Sequence, residues 1–246
     1  MGSTTIHVGP LLGVVLVVFA AVAAGAAYTG RLPVARATVT ASVRAVVQLT
    51  AVSLVIVAVL RSGWLTAGFV ALMYTVASVT AARRVSRHAT GALAALAIAT
   101  AVAPVLVLVL ATGLVPRHPV AVVPVAGILI GGAMTATGLA GQRALDELRD
   151  RAGEYEARLA LGFTSGVARR DVVRVPASQA LLPALDQTRT VGLVTLPGAF
   201  VGVLLGGAGP VQAGATQVLV LIGLLAVQTV AVVVVVELVA RGWLHR

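Results

Sequence analysis

The sequence predicts an all-α polytopic integral membrane protein, with about seven transmembrane helices, the N-terminus outside, the C-terminus inside and a cytoplasmic helical loop. Three observations carry this. The 246-residue chain is 59% hydrophobic and only 11% charged, against roughly a quarter charged in soluble domains. Its mean hydropathy is +1.03, and too little polar surface remains to cover a globule. Its apolar residues also gather in runs near the 20 residues that a helix rising 1.5 Å per residue needs to cross about 30 Å of hydrocarbon.

Seven spans are expected, at residues 10–28, 45–60, 64–82, 91–115, 120–141, 190–207 and 213–238. The second is short and contains Gln48. It reaches spanning length only if its helix begins near Thr38, with Arg44 snorkelling or facing protein. Pro104, Pro124 and Pro197 lie within or beside spans and are expected to kink or break them.

Arginine positions set the orientation. All 18 basic residues are arginine. Sixteen fall after the first, third, fifth and seventh spans, and only Arg61 and Arg117 fall on the opposite side. Cytoplasmic loops are enriched in arginine, which predicts N-outside and C-inside. The same placement excludes a nucleic-acid footprint, because the charge belongs to short loops on one membrane face. No positive charge precedes the first apolar run, so a cleaved signal peptide is not expected. Without lysine there is no P-loop and no Schiff-base chemistry. With no cysteine, disulfides, thiol catalysis and zinc ribbons are excluded as well.

Residues 143–174 hold six of the eight acidic residues and seven arginines. Leu145, Leu148, Ala152, Tyr155, Leu159 and Gly162 recur at steps of three and four, which predicts one face of a helix. That helix either lies on the membrane or bundle, or meets a partner. EARLALG from Glu156 to Gly162 reads as a charged helix ending on a sharp glycine turn. A basic connector and a proline-flanked return to the bilayer follow it.

EARLALG and the proline-flanked run after it are similar to the EAA loop of ABC-transporter permeases. Together with ARATVTASVRAVVQL from Ala35 and PALDQTRTVGLVTLPGAFVGVLLGG from Pro183, they resemble the FetB-type ABC permease family. That family is linked to iron export and to plant aluminium tolerance. The resemblance implies a single permease domain over residues 1–246, with a coupling segment at about 143–177. In it Glu156, Ala157, Leu161 and Gly162 would meet an ABC ATPase subunit. It implies a homodimer, a transported metal or small solute, and ATP-Mg on the partner, with no cofactor on this chain. Asp186 and Arg189 would sit at the cytoplasmic mouth of the sixth span, three residues apart and able to pair.

Polar residues inside spans are costly and serve either interhelical hydrogen bonding or a solute path. Gln48, Gln217, Gln228 and Glu237 are such residues, as are Tyr74, Thr75, Ser78 and Thr80. Glu237 can also snorkel beside Arg241. Gly198, Gly202 and Gly206, like Gly127 and Gly131, repeat every fourth residue and permit close helix packing. His7, His88, His118 and His245 lie outside the spans and the methionines are sparse, so a metal site is unknown. A cation would have to meet amide, hydroxyl and carboxylate oxygens, which suit hard ions. A stand-alone secondary transporter using Glu237 or Asp186 for a coupling proton is the second reading. A membrane enzyme would need an acid/base or nucleophile cluster, and none is apparent.

Overall fold

A computed structural model describes residues 9–86 and 88–245. His7, Arg87 and Arg246 lie outside the described residues. The chain forms ten α-helices and two short 3-10 turns, with no strand among the described residues. Among the described residues six helices are long and apolar enough to cross a membrane. The chain divides at Arg61 into two compact units.

The first unit is a hairpin of α1 (Pro10–Thr29) and α2 (Ala35–Val59). Pro10 opens α1, where a missing N–H costs nothing. Leu32 N–H donates to the Ala27 carbonyl and Arg31 takes φ 54°, closing the turn between the helices. α2 begins three residues before Thr38 and has 25 residues, about 37 Å. The second span is therefore long enough, with Arg36, Arg44 and Gln48 all inside the helix and exposed.

The second unit holds α3 (Gly63–Val85), α4 (Leu93–Ala111), α5 (Pro119–Asp150), α6 (Ala152–Ala160), α7 (Ser165–Ser178), α8 (Leu182–Thr190), α9 (Gly198–Leu205) and α10 (Pro210–Ala240). Its core is built from small residues. Ala77, Ala81, Ala94, Ala101, Ala126 and Ala133 pack with Ile98, Leu129 and Val227 where α3, α4, α5 and α10 meet. Lipid tails are as apolar as leucine, so packing contact rather than water exclusion must hold such helices together. A Cβ on Gly132 would collide with Leu224, and one on Gly141 would lie 2.6 Å from Val85 Cγ2. The short, branched Val85 cannot turn aside, so α5 needs glycine at 141, whereas at 132 the Leu224 side chain would have to shift. The expected pair fares differently. A Cβ on Gly127 would lie 2.7 Å from Met73 Cε, while Gly131 meets nothing within 4 Å. α4 and α5 run unbroken through Pro104 and Pro124.

Two expectations need correction. The span expected at 190–207 is not one helix, because α8 ends at Thr190 and α9 starts only at Gly198. Gly192 takes φ +82°, an isolated bridge joins Val191 to Thr195, and Pro197 caps α9. A left-handed residue two positions past the end of α8 and a proline seven past it leave no room for continuous helix. Likewise the stripe from Leu145 to Gly162 is not on one helix. α5 runs to Asp150, 32 residues in all, and breaks at Arg151 (φ −110°, ψ 33°) before α6. Leu145, Leu148 and Tyr155 nevertheless share one cluster with α7 and α10, so the apolar spacing marks a common buried side across the bend.

Candidate functional site

The charged segment is a compact assembly of the end of α5 with α6 and α7. α6 ends in a Schellman motif: Phe163 N–H donates to the Arg158 carbonyl and Gly162 N–H to that of Leu159, with Gly162 at φ +88°. This turn leaves Leu161 78% exposed at the tip, beside half-exposed Phe163. Glu156 and Ala157 are exposed on the same short helix, and Gly162 in the turn that ends it. The motif residues thus form an uncovered polar and apolar knob.

Behind the knob, Arg158 lies between two carboxylates, 2.9 Å from Glu154 and 3.0 Å from Asp171 of α7. Arg151 pairs with Glu147 at 3.3 Å and also with Glu154. The hydrogen bond from Arg158, with those from Arg151, holds the Glu154 carboxyl below its ordinary value, against desolvation. The bond to Glu154 raises the Arg151 guanidinium. Tyr155 seats α6 further, sharing a 2.9 Å hydrogen bond with Ser165 and lying under Arg169 at 5.7 Å. The neighbouring residue on α7 reaches the other way: Arg170 meets Glu237 of α10 at 2.6 Å, and Arg241 meets the same carboxylate at 2.6 Å. Adjacent residues of α7 therefore hold α6 on one side and α10 on the other.

The remaining candidates are scattered. Asp186 and Arg189 pair at 3.7 Å on α8, both about 70% exposed. Gln228 is half-buried, its amide close to Gly132. Gln48 stands exposed in the first unit. Gln217 is buried and accepts from Phe200 N–H at 3.2 Å, which satisfies a donor in the first turn of α9. Tyr74 donates to the Ala95 carbonyl at 3.0 Å, while Thr75 and Thr80 bond back to their own helix. The Oγ atoms of Ser78 and Thr137 are buried without a partner. Gly198 and Gly202 face open space, and Gly206 meets only the preceding turn of its own helix. Among the described residues no group of three or more His, Asp or Glu side chains could hold a metal.

The links Arg158 to Asp171 and Arg170 to Glu237 were not foreseen. Within α6 the i,i+4 spacing of Glu154 and Arg158 is a readable signal, but pairs between helices leave none. The cap on α9 was invisible too, since it depends on a break that the apolar run conceals.

Residues 11–244 match the family model described as Uncharacterised protein family (UPF0014). The chain belongs to this family. It is 32% identical over 228 residues to the UPF0014 membrane protein STAR2 of Oryza sativa subsp. japonica, covering 91% of this chain and 80% of that one. It is 34% identical over 162 residues to Protein ALUMINUM SENSITIVE 3 of Arabidopsis thaliana, covering 65% and 59%. With the probable iron export permease protein FetB of Escherichia coli (strain K12) it shares 33% identity over 140 residues, 55% and 52% of the two chains. No solved structure matches. Family and helices together make this a multi-pass membrane protein.

Proposed function

We propose that this UPF0014 protein is the permease subunit of an ABC transporter of the inner or plasma membrane, exporting iron or another metal ion and driven by an ATPase on a separate polypeptide. The observation that carries this is the uncovered α6 knob, in which Glu156, Ala157, Leu161 and Gly162 stand outside the bundle on a helix braced from behind. A helix that is exposed at its tip and ion-paired at its back is suited to receiving a push. The kinship with FetB supports a metal ion as cargo. Two copies would face two ATPases, and Gly198 and Gly202, with Gly206 one turn on, leave a small-residue surface where a second copy could approach. Asp186, Arg189, Gln48, Gln228 and Glu237 are the translocation candidates.

Co-purification tests the coupling role. The wild type is expected to retain an ATPase subunit, and Gly162→Arg is expected to lose it, since an arginine at φ +88° also strains the turn. Equal retention and equal stimulated ATPase activity in both proteins would refute the assignment. Flux in liposomes driven by a pH gradient without nucleotide would favour the secondary-transporter reading instead.

A further inference from the structure

We infer that the break between α8 and α9 lies at hydrocarbon depth and that the polar side of α8 with the unwound residues 191–197 lines a water-filled path fitted to a small hydrated cation. Two anchors place this stretch. The 179–181 turn just before α8 packs on α10, and Ala180 belongs to the buried cluster whose α10 members run from Val232, the nearest to Gln217, to Val239. Phe200, at the start of α9, donates to Gln217 of α10. Fifteen residues of helix separate Gln217 from Val232, about 22 Å, most of the roughly 30 Å hydrocarbon layer. Over residues 218–232, α10 is apolar except for Gln228 and Thr229. α8 packs on α10, so α8 and the break after it climb beside the apolar middle of that helix.

α8 is the wrong way out for lipid. Ala184 is buried and Thr188 half-buried, whereas Asp186, Gln187 and Arg189 are all exposed. Beyond it Leu193 N–H and Val194 N–H share the Thr190 carbonyl, and Gly192 N–H donates to Thr195. The carbonyls of Leu193 and Val194 accept no hydrogen bond among the described residues. Irregular backbone persists at membrane depth only where protein covers it or water reaches it, and exposed side chains of Asp, Gln and Arg have the same requirement. Three exposed polar side chains within four residues argue for water rather than a dry interface. The Asp186 carboxylate and the two carbonyls are oxygen donors of the kind hard cations take. Arg189 neutralises Asp186 until a cation replaces it. This deepens the translocation role given to Asp186 and Arg189, and moves them from the mouth of the span towards its middle.

The chain has no cysteine, so single introduced thiols report cleanly, and the test needs no ATPase. Gln187→Cys, Leu193→Cys and Val194→Cys in the full chain in phospholipid vesicles should react with a membrane-impermeant thiol reagent. Ile222→Cys and Val233→Cys, exposed on α10 over the same depth, should not. A spin label at Leu193→Cys should report a position deep in the bilayer, and millimolar Mn2+ should slow labelling there several-fold, an effect lost with Asp186→Asn. No labelling at the three sites would mean that lipid or a second copy covers the break, which refutes the path. Labelling with the spin label at headgroup level would mean that α8 lies on the surface, which refutes the depth. Labelling indifferent to Mn2+ would refute the cation.

Discussion

Two neighbouring glycines show how much one residue's direction matters in a helix bundle. Gly127 and Gly131 carry the fourfold spacing visible in the sequence, yet within α5 the tightest contact belongs to Gly132, which that spacing omits. A Cβ there would collide with Leu224 and lie 2.9 Å from the Gln228 amide, whereas one on Gly131 meets nothing. We expect Gly132→Ala to destabilise by about 1–3 kcal/mol through overpacking. Gly131→Ala should be neutral or gain up to about 1 kcal/mol in helix propensity. Thermal unfolding of the two purified variants in detergent separates them, and equal behaviour would show that the close approach of α5 to α10 is misplaced. Residue direction was illegible in the sequence because α5 is apolar or small on nearly every side, so no face announces itself.

At the scale of elements, the long helices could be read because length and hydropathy are enough to specify them. Their ends could not, since a helix projecting from the bilayer continues while its polarity changes, as α5 does to Asp150. The charged segment was legible in its composition and not in its bracing. We expect Asp171→Asn to loosen α6, raising amide exchange across Ala152–Ala160 roughly fivefold, the equivalent of about 1 kcal/mol for a partly exposed ion pair. Unchanged exchange in Asp171→Asn would show that packing by Tyr155 is sufficient. The same brace has a pH signature. Glu154 has a lowered pKa when folded, so its contribution is complete above the ordinary glutamate value of about 4.3 and fades as pH falls through the lowered one. Exchange in α6 should therefore rise below about pH 4, and Glu154→Gln should remove that component of the pH dependence.

For the whole molecule the arginine pattern makes a prediction about the number of crossings. Arginines place the loops after α1, α3 and α5 on one side and Arg61 and Arg117 on the other. α10 ends at Arg241, on the arginine-rich side, so it must begin on the opposite side. Yet α8 follows the arginine-rich segment. On that arrangement the chain from Leu182 to Pro210 is expected to cross, even though it contains no helix of spanning length. α8 has nine residues and α9 eight, together about 25 Å of helix. The unwound residues between them supply the remaining reach. Seven crossings by six long helices and one broken span would put the N-terminus outside and the C-terminus inside. Val211, 87% exposed in the first turn of α10, decides the matter. In intact cells Val211→Cys should react with an impermeant reagent from outside, as should Leu114→Cys beyond α4, while Gly153→Cys on α6 should react only after permeabilisation. If Val211→Cys instead behaves like Gly153→Cys, the segment from α8 to α9 does not cross. The positive-inside signal would then fail for α10, and the path inferred along the break would lose its depth.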